Sequence, residues 1–272
     1  MTSFLPAYTG VHCAARDEAR GLRYVTLMRD GIHNRASWVK LLIGFAILFA
    51  VLQGTAAVFQ SMRGEAGLYV AAATLATALL VQRVLFSSDW RKDIGLGLGI
   101  PRARGIVAAI GVSLLALCVI PVFQLVQSGG SAFYPGAAWL AAGIFLQGGV
   151  AEEIVFRGYL YGHIRRGRGF WRAALISAVP FAASHLYLFA VMDWTIALTA
   201  LALSMALSFP FAKLYDMGGR TIWAPAIAHA VVQGAVKLIV IEAPEFPIAW
   251  MVVSLVAMWV VFLISSSADN RS

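Results

Sequence analysis

The chain predicts an all-α, polytopic integral membrane protein, with about eight transmembrane helices in one bundle. Two features of composition carry that prediction. Hydrophobic residues make up 60% of the 272, and charged residues only 12%, about half of the roughly 25% usual in soluble domains. The third observation is spacing. Apolar runs near the ~20 residues needed to cross a bilayer recur at about 38–60, 66–86, 105–126, 137–162, 171–189, 192–214, 221–241 and 246–264. Eight such runs leave little chain for a separate soluble domain.

Ahead of the first run, residues 1–37 form a polar arm. Arg16 to Met28 carries helix formers with Ala19, Leu22, Val25 and Met28 loosely on one side, so either an interfacial amphipathic helix or a loose tail fits. No small-residue cleavage site follows the first apolar run, so that span itself is expected to direct insertion. Spans one to three, within 38–136, read as scaffold. The stretch Asp93 to Pro101 contains a GxGxG pattern, but the third glycine is misplaced for a dinucleotide fingerprint and no strand precedes it. A cytoplasmic loop entering span three is the better reading. Residues 127–136 hold three glycines and a proline and read as a turn region. The five spans from 137 to 264 form the candidate catalytic core, followed by a tail at 265–272. No internal repeat is evident.

The net charge of +8 is explained by where the cations lie. Arg16, Arg20, Arg23, Arg29 and Arg35 precede span one, and Arg91, Lys92, Arg102 and Arg104 lie between spans two and three. Arg165, Arg166, Arg168 and Arg172 follow span four, and Lys213 and Arg220 follow span six. The alternate loops hold Arg63, then none, then none, then Glu242 and Glu245. That alternation places both termini in the cytoplasm and makes the surplus charge a topology signal, with the bilayer rather than nucleic acid as the partner. A bacterial inner membrane suits so compact a chain. Two cysteines, Cys13 and Cys118, supply neither a disulfide framework nor a metal knuckle.

Polar groups at membrane depth stand out against this background. Ionisable residues there cost at least ~2.5–3.5 kcal/mol each on insertion scales, so they mark function or pairing. Span four carries Glu152 and Glu153, with Glu152 about ten residues, or ~15 Å, below the basic loop. Adjacent helical residues point ~100° apart, which predicts that the two carboxylates do not face one target. Glu153 precedes Arg157 by four, the favourable order for a helical ion pair, so Glu153 is assigned to Arg157 and Glu152 to a polar cavity. Span five ends in Phe181-Ala182-Ala183-Ser184-His185. Ser184 adjoins His185 but is expected to point elsewhere on the helix, and no GxSx motif surrounds it. Span seven places His229 and Gln233 on one face, four apart.

One carboxylate and two imidazoles suit two chemistries. Glu152, His185 and His229 form a His2Glu set that would hold a divalent ion such as zinc, with an open position for water. Alternatively, Glu152 serves as general base on a water held jointly with His185. His229 and Gln233 then hydrogen-bond the oxyanion of a scissile amide. No HExxH motif supports a soluble-type zincin.

The ordered trio Glu152-Glu153-x-x-x-Arg157, Phe181-x-x-x-His185 and His229 with an amide four residues on resembles the signature of the CPBP family. These are the CAAX-processing and bacteriocin-processing (Abi) intramembrane proteases. The resemblance covers roughly 140–240. It implies a glutamate-dependent endopeptidase with an eight-span helical core and a cytoplasm-facing cavity. Glu152 would activate water, His185 would assist, His229 would help form the oxyanion site, and Glu153 with Arg157 would be structural. The family has been described both as metalloproteases and as metal-free glutamate proteases. Where it usually has asparagine, this chain has Gln233, the same donor on a stem one methylene longer. The expected partner is a membrane-associated or lipidated protein or peptide substrate. Two competing readings are a non-catalytic scaffold or bacteriocin-immunity protein of the same fold, and a proton-coupled transporter using the same groups as a relay. A transporter would be expected to show broken helices in matching halves, which the sequence lacks.

The charge alternation makes a direct prediction. A reporter active only outside the cytoplasm will be active when inserted at Gly129-Gly130 and silent when fused after Ser272; the reverse pattern would refute the assigned topology.

Overall fold

A computed structural model describes residues 37–86, 94–97, 103–127, 130–243 and 245–264. The N-terminal arm with its expected helix at Arg16 to Met28, most of the Asp93 to Pro101 loop, and the tail at 265–272 lie outside the described residues. The chain divides into two units, 1–43 and 44–272. Of the first, only 37–43 are described, and they are helical. The second holds the bundle and the polar residues singled out above.

Among its described residues this second unit is all-α apart from one short ladder. The helices of the described chain are α1 (Ser37–Val58, of which 44–58 belong to the second unit), α2 (Arg63–Phe86), α3 (Ala103–Val126), α4 (Ala137–Arg165), α5 (Phe170–Ala183), α6 (Trp194–Met217), α7 (Trp223–Leu238) and α8 (Phe246–Trp259). A four-residue helical segment, Leu188–Val191, completes the fifth span beyond α5. Among the described residues, six helices are long and apolar enough to cross a membrane. The protein is therefore an all-α polytopic membrane protein. The seventh and eighth expected spans are helical but shorter. α7 has 16 residues because its expected last turn, the β-branched run Ile239-Val240-Ile241, forms a strand instead.

That strand, β2 (Ile239–Ile241), pairs antiparallel with β1 (Ser131–Phe133), in the stretch read from sequence as a plain turn. Ser131 lies opposite Ile241 and Phe133 opposite Ile239. The ladder thus fixes the end of α7 beside the start of α4. At the other end of the same helices, Arg165 Nε (3.0 Å) and Tyr161 Oη (3.2 Å) both donate to Asp216 Oδ2, tying α4 to α6. The amide of Ile222 donates to Gly95 O at 2.9 Å, holding the entry to α7 against the loop before α3. Arg165, Arg166, Arg168 and Arg220 therefore share the end of the bundle opposite the ladder.

The remaining termini follow local chemistry. Asp193 caps α6 by accepting the Thr195 amide at 2.8 Å, and that bond holds its carboxyl below the usual carboxylate range. Outward-facing side chains such as Leu80, Val84, Val107, Leu114 and Leu198 are exposed and apolar, as a lipid-facing surface requires. Inside, α3, α6, α7 and α8 share a core of Ala109, Val112, Phe211, Leu214, Ala228, Trp250 and Met258. Much of it is alanine because helices in lipid gain from close backbone approach rather than from burying apolar area.

The same rule governs the crossing of α2 and α4. These helices meet glycine to glycine, and a Cβ on Gly143 would stand 2.5 Å from Gly64 O. Gly143→Leu is expected to force the helices apart and destabilise the folded protein by about 1–3 kcal/mol or more. A fall in thermal midpoint in detergent, without loss of helical circular dichroism at low temperature, would register it.

Candidate active site

The site is built on an irregularity in α4. Phe145–Ala151 and Ile154–Tyr161 are π-helical, and Glu152 and Glu153 sit between them. The Glu152 amide donates to Gln147 O, five residues back, and to Gly149 O, three back. Widened turns of this kind concentrate at functional sites because they re-aim side chains that a regular helix would point elsewhere.

The consequence corrects the expectation that the two glutamates serve different targets. Both flank one imidazole. Glu153 Oε1 lies 2.7 Å from His229 Nδ1, and Glu152 Oε2 lies 3.6 Å from His229 Nε2. A ring with nitrogens on two sides can be approached by neighbours on one helix when that helix is locally widened. Glu153 has no exposed side-chain surface, whereas Glu152 is 21% exposed. Arg157 Nη1 donates to the same Glu153 Oε1 at 3.0 Å.

Arg157 is buried, and aromatic faces hold it. Its guanidinium carbon lies 4.3 Å from the Phe181 ring centre and 5.1 Å from that of Phe211. Phe211 also stacks on His229, with ring centres 4.9 Å apart. Cation–π contacts of this sort are worth about 2 kcal/mol or more when desolvated. Phe211, on α6, was not among the residues singled out from sequence. It resembles any other core phenylalanine there, and only the fold brings it to the ring.

Gln233 closes the network. Its Nε2 lies 3.0 Å from His229 Nε2 and donates to Glu152 Oε1 at 3.4 Å. The approach of α7 to α4 that allows this depends on Gly148, where a Cβ would stand 2.8 Å from Gln233 Cδ. Donor logic assigns the proton positions. A carboxylate only accepts, so Nδ1–H of His229 donates to Glu153, and Nε2 accepts from the Gln233 amide. The chain of contacts runs Arg157, Glu153, His229, Gln233, Glu152.

His185 is positioned differently. α5 contains Pro180 and stops at Ala183, which leaves the Phe181 carbonyl without its full helical complement. His185 Nδ1 donates to that carbonyl at 3.0 Å. Ser184 Oγ donates to the same carbonyl at 2.6 Å and lies 3.2 Å from His185 Nδ1, so Ser184 does touch His185, contrary to the sequence expectation. With Nδ1 engaged, Nε2 of His185 is the acceptor. The Phe-to-His spacing of four is thus a C-terminal cap.

His185, His229 and Gln233 line a common cavity of about 450 Å³. Its other walls are Ile196, Ala200, Ser204 and Leu207 of α6, Val236 and Lys237 of α7, and Pro247, Trp250 and Met251 of α8. The cavity extends toward the ladder end. Toward the basic end the same helices are sealed by Leu214, Ala228, Ala257, Met258 and Val261. Among the described residues, no three His, Cys, Asp or Glu side chains are placed to hold a metal ion, so Glu152, His185 and His229 do not form the expected ligand set.

Comparison with known proteins adds a likeness over the part of the chain that holds these residues. Residues 134–235 match the family described as type II CAAX prenyl endopeptidase Rce1-like. That stretch is similar to a family of membrane-embedded proteases, and the six long apolar helices make the protein an integral membrane protein. The matched stretch opens just after β1, ends in α7, and contains all six predicted site residues. No curated protein matches the chain.

The buried pair gives a testable ranking. Arg157→Leu strands Glu153 without its cation and is expected to destabilise the protein by about 3–5 kcal/mol. Pairing it with Glu153→Gln restores part of that loss, because the uncompensated charge goes with it. Thermal midpoints of the two single variants and the double variant in one detergent would decide; strict additivity would refute the coupling.

Proposed function

We propose that this protein is an intramembrane endopeptidase that cuts a membrane-associated polypeptide, with Glu152 as the base that activates water. The observation that carries the reading is the asymmetry between neighbours. Glu153 is fully buried and bonded to both Arg157 and His229, while Glu152 keeps part of its side chain exposed and touches only the Nε2 side of the imidazole.

Charge balance supplies the mechanism. Glu152, Glu153 and Arg157 together carry one net negative charge in a low-dielectric setting, where uncompensated charge is costly. One proton held between Glu152 and His229 Nε2 closes the balance. When it resides on His229, Glu152 is an anion able to take a proton from water. Once Nε2 of His229 holds the proton it no longer accepts from Gln233, so as hydroxide adds to the scissile carbonyl the freed Gln233 amide and Nε2–H of His229 both donate to the oxyanion, while Glu153 stabilises the imidazolium from Nδ1. The proton gained by Glu152 then passes to the departing amine as the C–N bond breaks. His185 lines the cavity, and its Nε2, the acceptor nitrogen, takes a hydrogen bond from the attacking water. Arg157 and Glu153 act through His229 and position it. The longer stem of Gln233 supports rather than weakens this reading, since its amide reaches both Glu152 and His229. These steps use protein groups and water alone, and among the described residues no three His, Cys, Asp or Glu side chains assemble a metal site.

The test compares new protein N-termini in membranes carrying the wild-type chain or Glu152→Gln. The substitution keeps size and most hydrogen bonding, so the protein level should be unchanged. Specific N-termini should vanish in the variant, and identical profiles would refute the proposal. His229→Ala and Gln233→Ala should each reduce the same cleavages by about 100-fold or more, the scale of losing one oxyanion donor.

A further inference from the structure

A second cavity, of about 320 Å³, lies at the arginine end of the bundle and shares no lining residue with the one at His229. Arg166, Tyr215, Arg220 and Thr221 line it, together with three glycines. Its volume falls at the lower end of the ~300–1,000 Å³ usual for small-molecule sites. The walls are tightly built. The stretch 94–97 is wedged between α4 and the turn that joins α6 to α7, where Ile222 N donates to Gly95 O. A Cβ on Gly158 would collide with Ile94 O, and one on Gly162 would stand 3.0 Å from Tyr215 Oη. The glycine-rich run at 95–99 that is no dinucleotide fingerprint thus supplies part of a cavity wall through Gly97.

One of the two cations is held at a backbone cost. Gly218 ends α6, Gly219 is left-handed at φ 77°, and Arg220 follows at φ 64°. Among the described residues, Arg220 is the one non-glycine residue with positive φ. Glycine would take that conformation without strain, since it has no Cβ to meet the backbone. Strained backbone of this kind concentrates at functional positions. The chain therefore keeps a guanidinium where the turn alone asks for glycine.

Among the described residues no carboxylate lines the cavity. Asp216 is the acid of this end, and Arg165 and Tyr161 both donate to its Oδ2 while its Oδ1 is buried. Glu65, Asp193, Glu242 and Glu245 belong to the opposite end of the bundle. Of the other cations nearby, Arg168 Nη1 donates to Ile164 O at 3.0 Å and Lys213 lies over the Phe170 ring. Arg166 has another contact besides, and a guanidinium has five donors to share.

We infer that this cavity binds a phosphate group, held between Arg166 and Arg220 and carried by the headgroup of an anionic phospholipid. Guanidinium forks match phosphate oxygens in geometry as well as charge. By the charge rule the arginine end is cytoplasmic, which sets the cavity at the level of the anionic headgroups of that leaflet. Arg166 follows α4 and Arg220 precedes α7, the helices that carry Glu153 and His229. A phosphate bridging the two braces the buried charge assembly from outside. This goes beyond the endopeptidase reading and does not depend on it.

The test uses the purified full chain in a neutral detergent at low salt, followed by thermal midpoint and native mass spectrometry. Dioleoyl phosphatidylglycerol, dioleoylglycerol and inorganic phosphate are added in turn. Phosphatidylglycerol should raise the midpoint by a few degrees and give a saturable adduct, whereas dioleoylglycerol, with the same tails and no phosphate, should do neither. Arg220→Gly removes the cation and the strain together. Its midpoint without lipid should hold or rise, while its affinity for phosphatidylglycerol falls by about tenfold or more, and Arg166→Gln should lose affinity likewise. Arg172→Gln, which removes an exposed cation away from the cavity, should stay within about twofold of wild type. Equal protection by inorganic phosphate supports the phosphate site and assigns its ligand to a soluble source. Undiminished binding in Arg220→Gly, or equal protection by dioleoylglycerol, overturns it. So does a wild type indifferent to both phosphates that gains the response in Asp93→Asn, because the carboxylate set directly before Ile94 in the sequence is then the occupant.

Discussion

The bond between Glu153 and His229 is the constraint on which the rest of the site depends. It joins α4 to α7 at 2.7 Å, with the Glu153 side chain fully buried and His229 nearly so. Arg157 makes it tolerable by supplying the opposite charge, and Phe181 and Phe211 make Arg157 tolerable by replacing part of its hydration with aromatic faces. Each element of the core half of the bundle therefore contributes to one buried charge assembly: α4 the carboxylates and the guanidinium, α5 Phe181, α6 Phe211, α7 the imidazole. Removing any one leaves a polar group in lipid-like surroundings without compensation.

This arrangement accounts for the π-helical turns on either side of the glutamates. A regular α-helix would bring either Glu152 or Glu153 to α7, not both. The widened turns allow Glu153 to hold His229 from one side while Glu152 stays near the other, joined to it through the Gln233 amide. Local departure from ideal helix is thus part of how a fully buried carboxylate and a partly exposed one are made from neighbouring residues. Glycine supports the same geometry by letting α7 approach α4 closely enough for the longer glutamine to fit.

The cavity at His229 adds a direction to the site. Small residues and large apolar residues close the bundle at the arginine end, whereas α6 becomes steadily more exposed toward its N-terminus. A groove open at one end and sealed at the other makes access to His185, His229 and Gln233 a property of helix packing rather than of loop sequence.

Fold class was legible in the chain because lipid imposes a strong rule: apolar runs of bilayer length must be helices, and cations mark the side on which loops remain. The polar residues were legible for the same reason, since Glu152, Glu153, Arg157, His185, His229 and Gln233 stand out against an apolar background. Their partnerships were not. Spacing along α4 gives Glu153 and Arg157 as neighbours, but it carries no information on the distance to α7, on Phe211 as the second face for Arg157, or on the π turns that defeat the 100° rule. The strand at Ile239–Ile241 was hidden because a β-branched run is equally apolar as helix or ladder, and only the partner at Ser131–Phe133 decides between them. The ionisable residues are set by composition at membrane depth; which of them holds and which of them works is set by packing, because burial and pairing belong to the assembled bundle and to no single helix.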